Sequence, residues 1–460
     1  MDTVTLQNYR CFEDEQTARL APLTLLVGEN STGKTSFLAM LRALWDVGHG
    51  GTRPSFRRAP YDLGTFRDIA HNHGSRGAPA LAFSAGFESA SPARGKRARA
   101  RQAVPSDDAA LRVRVEFGKR DAEPYPVRTR FARGATWIEL RIDEGTRVHH
   151  FGTATGEWEY HFDDRQRRTL DSESFEVSLV SMRYHLATLD TDPPPASVTQ
   201  ALRHQPHGAP GPEDLSALLR LAESVPFRER THSYAGAPVR SSPRRIYDPP
   251  NIGADPEGAY IPLFLARLHE AARDEWQRLK QAIEGFGLAA GLFDELDVKR
   301  LGDTEGGPFQ LRVRKYARGR KGPRRNIADV GYGVSQVLPV VTELLRKDVP
   351  SLFLLQQPEV HLHPRAQAAL GSLFCEVAAH RRSQLVIETH SDHLLNRVRM
   401  DTRDKSTKLS PDDVSILYFE RADHGVCIHS LRLDTSGNVL NAPDSYGSFF
   451  MQETARSLGL

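Results

Sequence analysis

Gly28-Glu-Asn-Ser-Thr-Gly-Lys-Thr35 is a complete Gly-x-x-x-x-Gly-Lys-Thr phosphate loop, and it decides the fold. The apolar run from Leu23 to Val27 before it is typical of a buried strand, and the apolar spacing over 36–47 predicts a helix after it. The two glycines let the backbone turn so that successive N–H groups face phosphates at the positive end of that helix. The stretch therefore predicts a nucleoside triphosphate site.

Two side chains of the loop carry the expected chemistry. Lys34 supplies a positive charge for the β and γ phosphates, and Thr35 offers a hydroxyl to Mg²⁺. ATP and Mg²⁺ are therefore the expected cofactors. A chance Gly-Lys-Thr in a glycine-rich turn is the alternative, but the strand and helix context argues against it. The loop residues expected at the nucleotide are Gly28, Asn30, Ser31, Thr32, Gly33, Lys34, Thr35 and Ser36.

Length and composition indicate a globular protein with a full hydrophobic core. The chain has 460 residues, of which 39% are hydrophobic, and a net charge of +3. This length allows two or three domains, or one large α/β domain with insertions. No run of about 18 apolar residues would span a membrane, and the first residues lack the pattern of a secretion signal. We expect a cytoplasmic location without a membrane partner.

The middle of the chain has a different character. Alternating segments at 111–117, 127–131, 137–142 and 158–162, separated by turn residues, indicate an antiparallel sheet inserted into the nucleotide-binding part. A basic low-complexity stretch at 91–101 precedes them and predicts a mobile surface loop. The region 193–242 is predicted to be irregular apart from a short helix at 213–224. One long helix is predicted over 259–286, and a hairpin with its turn at 319–323 follows.

The last third of the chain carries the second half of the expected site. An apolar strand ends in Gln356-Gln357-Pro358-Glu359, where a Walker B motif would place its carboxylates, and Val360-His-Leu-His-Pro364 follows. A second apolar strand ends in Thr389-His390-Ser391. Before both lies Gly331-Tyr-Gly-Val-Ser-Gln336, a turn that opens an apolar helix.

This ordered set resembles the ATP-binding-cassette ATPases of the RecF, SMC and Rad50 kind. It is most similar to the smaller relatives grouped with OLD-family and bacterial anti-phage defence ATPases, such as the Septu ATPase subunit. The resemblance covers about residues 1–48, with the Asn8-Tyr-Arg-Cys-Phe12 opening, and about 325–420. It implies an α/β fold, with an ABC/SMC-type ATPase head whose mixed sheet surrounds the phosphate loop and which holds an inserted antiparallel β-rich region.

The same resemblance implies four parts. Residues 1–87 would form an N-terminal ATPase lobe with the Walker A loop, and 88–240 a β-rich and irregular insertion. Residues 241–325 would form a helical arm and a basic hairpin. Residues 326–460 would form a C-terminal ATPase lobe with signature, Walker B, D-loop and switch histidine.

The resemblance also assigns roles to single residues. Gly333, Ser335 and Gln336 stand in the signature motif, His363 lies in the D-loop, and His390 is the switch histidine that senses the γ-phosphate. In such proteins two subunits sandwich two ATP molecules, and each phosphate loop faces the partner's signature. Self-association with ATP at the dimer interface is therefore expected, and Arg10 joins the expected nucleotide contacts.

One departure from the family concerns catalysis. Relatives carry a metal-holding acid at the strand end and often a second acid that orients the attacking water, whereas this chain has Gln356 and Gln357. An amide cannot take a proton at pH 7, so hydrolysis is expected to be impaired. Gln356, Gln357, Glu359 and His390 are the candidate catalytic residues, and Thr35 and Gln356 the candidate metal ligands. The explanations are a family variant with Gln at the second position, a slow natural ATPase, or an engineered Glu→Gln exchange at Gln356, which we favour.

Positive charge collects before the signature turn, at Arg318, Arg320, Lys321, Arg324 and Arg325. Such a cluster can hold the phosphate backbone of DNA or RNA without reading sequence. A solvated hairpin tip is the alternative, because aromatic residues are nearly absent from the segment.

The favoured function is an ATPase subunit of a prokaryotic defence system that controls a separate effector, such as a nuclease. The alternative is a RecF-like DNA-repair ATPase that acts on DNA itself. A transporter subunit is disfavoured, because the chain has no Leu-Ser-Gly-Gly-Gln sequence.

Overall fold

The computed structural model describes residues 1–50, 54–71, 82–89, 109–143, 146–162, 210–224, 232–248, 255–302, 306–317, 319–380 and 383–447. The predictions for the basic stretch 91–101, for Arg318 and for much of 193–242 fall outside these ranges. Within them, no helix combines the length and the apolar character needed to cross a membrane.

Helices and strands of the described ranges are labelled in chain order. The helices are α1 Lys34–Trp45, α2 Phe66–Ile69, α3 Pro212–Ser224, α4 Ile261–Ala271, α5 Arg273–Ala290, α6 Tyr332–Leu345, α7 Pro364–Ala379 and α8 Asp392–Arg403. The strands are β1 Thr3–Gln7, β2 Gln16–Arg19, β3 Leu23–Gly28, β4 Phe83–Ser89, β5 Leu111–Arg120, β6 Glu123–Arg133, β7 Thr136–Asp143, β8 Thr146–Gly152, β9 Glu157–Phe162, β10 Ser233–Gly236, β11 Glu295–Arg300, β12 Phe309–Arg314, β13 Tyr316–Ala317, β14 Arg320–Lys321, β15 Arg325–Asn326, β16 Leu352–Gln356, β17 Gln384–Glu388, β18 Val414–Ala422, β19 Gly425–Leu433 and β20 Val439–Leu440.

The described residues divide into two compact units. The first contains those within 1–20, 39–230 and 421–427, and the second contains those within 21–38, 231–420 and 428–460. Each unit is described by itself below.

The first unit is built on an antiparallel sheet with the strand order β2-β1-β4-β5-β6-β7-β8-β9. Its strands alternate as a one-sided sheet should: in β5, Leu111, Val113 and Val115 are buried while Arg112 and Arg114 are exposed. The predicted antiparallel β-rich region is therefore confirmed. Strand β8 was missing from the prediction.

The N-terminal strands belong to this same sheet. Strand β1 pairs with β2 on one side and with β4 on the other. Strand β4 pairs in turn with β5. The predicted boundary at 87/88 thus falls inside one continuous sheet.

The second unit contains a mixed sheet around the phosphate-loop strand, in the order β10-β16-β17-β3-β18-β19-β20. Strand β3 lies between β17 and β18 and runs parallel to both, while β19 and β20 pair antiparallel. All six residues of β3 are buried, as a strand covered on both faces requires. Helices α4 to α7 contribute apolar side chains to one core with Leu23, Leu355 and Ile387 of the strands. The predicted mixed α/β sheet around the phosphate loop is confirmed.

Strand β10 corrects the prediction of an irregular region up to residue 242. It pairs parallel with β16, from Ser233 opposite Leu352 to Gly236 opposite Leu355. Its four residues are too few to produce a period-two pattern that stands out in the sequence. The last part of the predicted insertion therefore belongs to the nucleotide-binding sheet.

The prediction of a single helix over 259–286 is wrong, because the segment forms two helices. Two helices, α4 and α5, meet at Ala272, which has φ −141° and ψ 71°. No glycine or proline marks the break, but Asp274 and Glu275 lie in the first turn of α5, where carboxylates favour a helix start. One apolar face nevertheless continues through both helices, since Ile261, Leu265, Trp276, Leu279 and Ile283 are all buried.

Candidate nucleotide site

The phosphate loop takes a shape that only glycine permits at its start. Gly28 ends β3 with φ +139°, and a Cβ there would lie far inside van der Waals contact with the carbonyl oxygen of Phe419. Ser31 and Gly33 also have positive φ, of 63° and 84°. Helix α1 begins at Lys34, so its free N–H groups lie next to the loop. Exposed Asn30 and Ser31 form the outer turn of the loop.

Lys34 lies against the loop that precedes it. Its Nζ donates to the carbonyl oxygens of Gly28, at 3.0 Å, and Glu29, at 2.5 Å. Thr32 Oγ1 donates to the same Glu29 oxygen at 2.8 Å. The amine is thus held within the turn where phosphate oxygens are expected.

Thr35 links the loop to the ends of two strands. Its Oγ1 donates to Glu388 Oε2 at 3.1 Å and accepts a hydrogen bond from Gln356 Nε2 at 3.0 Å. In the parallel register Gln356 lies opposite Glu388, and Glu388 lies opposite Leu26 of β3. The two strand ends and the first turn of α1 therefore meet at one edge of the sheet, where ligands bind in open α/β sheets.

Glu359 forms its hydrogen bonds with other residues than Thr35, Glu388 and Gln356. Its Oε1 accepts hydrogen bonds from Thr389 Oγ1, at 2.8 Å, and from the backbone N–H of His390, at 2.9 Å. The residue is buried. Glu359 therefore holds the turn that carries His390.

The start of helix α6 contacts the His361 backbone and the backbone of a buried arginine. A Cβ on Gly333 would lie 2.7 Å from the carbonyl oxygen of His361, so the start of α6 approaches that segment closely. Ser335 Oγ donates to the Tyr332 carbonyl at 2.8 Å. The amide of Gln336 bonds with the backbone of Arg240, accepting at 3.3 Å and donating at 3.4 Å.

His363 and Arg10 lie in separate settings. His363 is exposed and is the N-cap residue of α7. Arg10 belongs to the first unit, where its guanidinium donates to the Leu63 carbonyl at 3.4 Å.

Comparison with known families identifies the coarse class. A family model described as "AAA ATPase domain" matches residues 1–64. A second, described as "AAA domain, putative AbiEii toxin, Type IV TA system", matches residues 194–396. Both halves of the site match AAA-type ATPase models. No curated protein matches the chain.

Three solved structures are distantly similar to the chain. An SMC head bound to the C-terminal winged-helix domain of ScpA has 11% identity and a TM-score of 0.46, with 95% of this chain and 98% of that chain covered. The SMC head domain from Thermotoga maritima has 11% identity and a TM-score of 0.37, with 93% and 98% covered. The SMC head with an extended coiled coil from Pyrococcus furiosus has 10% identity and a TM-score of 0.43, with 99% of both chains covered. Because these TM-scores lie below 0.5, we draw no conclusion from them.

Burial sets the electrostatics of this site. It raises the pKa of Glu388, against which act the charge of Lys34 and hydrogen bonds from Thr35, Gln356 and Gln357. It lowers the pKa of Lys34, with the charge of Glu388 as the largest opposing effect. A lysine and a glutamate that are both buried thus stabilise each other's charge beside the loop.

His390 is favoured in its neutral form. Burial lowers the pKa of His390, and the nearby positive charge of Lys34 lowers it further. A neutral imidazole can donate from one nitrogen and accept at the other, so it can contact both a γ-phosphate and a water.

Sequence reasoning missed Glu388. Glu388 stands directly before Thr389 at the end of the second apolar strand, and no role is expected for it from the sequence. The available signal was that Glu388 ends an apolar strand just as Gln356 does, and carboxyl ends of parallel strands share one edge. Which strands are neighbours cannot be read from the sequence, so the proximity of Glu388 to Thr35 was not visible.

Arg240 was also missed. Its side chain is buried, and its three guanidinium nitrogens have no hydrogen-bond partner within the described ranges. Burial lowers its pKa, while Tyr234 and Glu359 act in the opposite direction. The guanidinium therefore contributes charge rather than hydrogen bonds to the surroundings of Glu359.

Metal binding is compatible with the donors at Thr35. The described residues contain no group of three or more His, Cys, Asp or Glu that would hold a metal ion. Mg²⁺ in nucleotide sites needs less, since it uses one or two carboxylates with phosphates and water. Thr35, Glu388 and the Gln356 amide are oxygen-bearing groups of the kind it prefers.

The basic segment is partly neutralised. Lys321 lies 3.5 Å from Glu295, and Arg324 lies 3.6 Å from Asp297. Arg320 and Arg325 are exposed. The field available to a nucleic acid is thus weaker than the residue count suggests.

Proposed function

We propose that this chain is an ABC/SMC-like ATPase subunit of a prokaryotic anti-phage defence complex. ATP and Mg²⁺ would bind at the phosphate loop, and ATP-dependent dimerisation or oligomerisation would control a separate effector such as a nuclease. The observation that carries the proposal is the meeting of Lys34, Thr35 and the two strand ends at one edge of the sheet. The cytoplasmic location expected from the sequence remains part of the proposal.

The residues of the site favour long-lived ATP binding over rapid turnover. Neither Gln356 nor Gln357 can accept a proton at pH 7, and Glu359 is engaged by Thr389 and His390. Loss of a general base typically slows a reaction by about a hundredfold to ten-thousandfold. With Gln356 in place, the chain would persist in its ATP form.

Self-association is supported by the arrangement of the signature. Gly333 approaches the His361 segment, and the N-terminal end of α6 offers N–H groups to an anion. We propose that this end contacts the γ-phosphate held by a second copy. The description of the family model for 194–396 names a putative toxin and a TA system, which supports a system with a harmful component.

The RecF-like alternative depends on direct DNA contact. The ion pairs of Lys321 and Arg324 weaken that case, because paired cations release fewer counterions from DNA. Charge reversal at Arg320 and Lys321 tests it: unchanged DNA affinity and salt dependence would remove the alternative.

The biochemical test compares the chain with Lys34→Ala and Gln356→Glu. We expect ATP to bind and to increase the oligomer mass measured by light scattering, and Lys34→Ala to abolish both effects. We expect Gln356→Glu to hydrolyse ATP faster than the chain itself. An oligomeric state that ignores ATP would contradict the proposal.

The defence role needs a test in cells. The chain and the product of the neighbouring reading frame would be expressed together in a bacterial host and challenged with phage. We expect plaque formation to fall only when both proteins are present and Lys34 is intact. Equal protection by the Lys34→Ala variant would refute control by ATP.

A further inference from the structure

We propose that Glu388 supplies the carboxylate that holds the nucleotide-bound Mg²⁺, taking the place of the acid that strand β16 lacks. This inference rests on the proposed ATP-binding function. It assigns Thr35 as the hydroxyl ligand and gives Gln356 and Gln357 the task of orienting the carboxylate of Glu388.

The first support is the spacing of two oxygens. Thr35 Oγ1 and Glu388 Oε2 lie 3.1 Å apart. Adjacent ligands of an octahedral Mg²⁺, each about 2.0 to 2.1 Å from the metal, lie about 2.9 Å from each other. The two oxygens therefore already have nearly the separation that one metal ion imposes.

The second support is the free-energy cost of burying a carboxylate at position 388. Glu388 is 5% exposed. Burying a carboxylate is unfavourable unless charges and hydrogen bonds compensate it, and a neutral residue would end the strand without that cost. Its neighbours include the Lys34 charge and three hydrogen-bond donors. A carboxylate held in this way beside the phosphate loop is suited to a cation that arrives with the nucleotide.

The third support is that Glu359, the other nearby acid, is engaged elsewhere. Its Oε1 is occupied by Thr389 and by the N–H of His390. Gln356 shares the Thr35 hydroxyl but presents its Nε2 to it. Glu388 is thus the described carboxylate that contacts the Thr35 hydroxyl.

A purely structural role is the competing explanation. In that case Glu388 would fix the first turn of α1 through its bond with Thr35, and its loss would lower stability equally with and without metal. A metal ligand behaves differently. Its loss weakens metal binding specifically, and it leaves metal-free nucleotide binding equal or tighter, because one negative charge near the phosphates is gone.

The test measures Mn²⁺ binding by electron paramagnetic resonance in the presence of a saturating non-hydrolysable ATP analogue. Metal-free affinity for the analogue is measured in parallel by calorimetry in EDTA. We expect Glu388→Gln to weaken Mn²⁺ binding about 10- to 100-fold, with metal-free affinity equal or higher. Glu376→Gln, which removes a glutamate on α7 outside the site, is the matched control and should behave as the parent.

Moving the carboxylate from strand β17 to strand β16 makes the test specific. The double variant Gln356→Glu with Glu388→Gln moves the carboxylate to β16 on the other side of Thr35, and we expect it to regain most of the Mn²⁺ affinity. Glu388→Asp keeps the charge and covers the case in which Glu388→Gln does not fold. It should bind Mn²⁺ more weakly than the parent, because its side chain is one methylene shorter and holds the carboxylate farther from the metal.

The outcomes separate this inference from the function on which it rests. Nucleotide binding that is absent, or insensitive to Lys34→Ala, would overturn both. Nucleotide binding that depends on Lys34, with Mn²⁺ affinity unchanged in Glu388→Gln, would overturn the role of Glu388 alone. Equal losses of stability with and without metal, and no change in Mn²⁺ affinity, would assign Glu388 to structure.

Discussion

Replacing Gln356 by Glu should destabilise the protein without metal and make Mg²⁺–ATP more stabilising. The amide of Gln356 donates to Thr35 Oγ1, which donates in turn to Glu388. A carboxylate at position 356 removes the amide donor and leaves one hydroxyl between two negative acceptors. The variant therefore replaces a satisfied chain of hydrogen bonds by a repulsion.

The size of this effect follows from the geometry. Both side chains contact the same oxygen, at 3.0 Å and 3.1 Å, so the two carboxylates would lie at most about 6 Å apart. With an effective dielectric constant of about 20, two like charges repel by about 3 kcal/mol at 6 Å and about 4 kcal/mol at 4 Å. Protonation of one carboxyl at pH 7 limits the cost to about 4 kcal/mol. We expect a loss of about 3 kcal/mol in the free energy of unfolding.

The assay is urea unfolding with and without Mg²⁺–ATP. Ligand at a hundredfold excess over its Kd stabilises a protein by about 2.7 kcal/mol, and the variant should gain more than the parent because the metal also relieves the repulsion. Gln277→Glu, on the exposed side of α5, makes the same chemical change outside the site and should alter stability by less than about 0.5 kcal/mol. A Gln356→Glu variant that unfolds like the parent without metal would refute the shared hydroxyl.

Further predictions concern a glycine, an acid and a thiol. Gly28→Ala should lower the free energy of unfolding by about 3 kcal/mol and abolish nucleotide binding, because the φ of +139° at this position strains any L residue. Gly285→Ala, where a Cβ meets nothing within 4 Å, should instead stabilise helix α5 by about 0.5 to 1 kcal/mol, and equal effects of the two substitutions would contradict this. Glu359→Leu should lower the free energy of unfolding in urea by about 2 kcal/mol more than Glu359→Gln, since only leucine leaves the Thr389 hydroxyl and the His390 N–H without their acceptor. Equal losses would show that these two hydrogen bonds contribute little to stability. Burial raises the pKa of Cys11 to about 11, so about one thiol in a thousand is ionised at pH 8. Labelling of Cys11 by a thiol reagent should therefore be slow at pH 8 and should accelerate towards pH 11, and fast labelling at pH 8 that Cys11→Ser removes would be inconsistent with that burial.

The local parts of the site could be predicted from sequence because their signals are local. The phosphate loop, the strand ending at Gln356 and the strand before Thr389 each combine an apolar run with a polar end. Such patterns fix what a segment becomes and which end of it faces the ligand.

The remaining features depend on which segments become neighbours. Glu388 matters because β17 lies between β16 and β3, and nothing within residues 384–388 encodes that order. The same is true of β10, whose four residues become a strand through pairing with β16. The break at Ala272 was missed for another reason, since the apolar face continues through it and no glycine or proline interrupts the pattern.

The position of β3 in its sheet has a consequence for synthesis on the ribosome. This strand is made among the first 28 residues, but one of its two neighbours, β18, pairs with it through residues 414–419. At about 5 to 20 residues per second, translation of the intervening chain takes roughly 20 to 80 s. Until β17 is made, shortly before β18, this largely apolar strand has neither of its neighbours, so the nascent chain should depend strongly on chaperones.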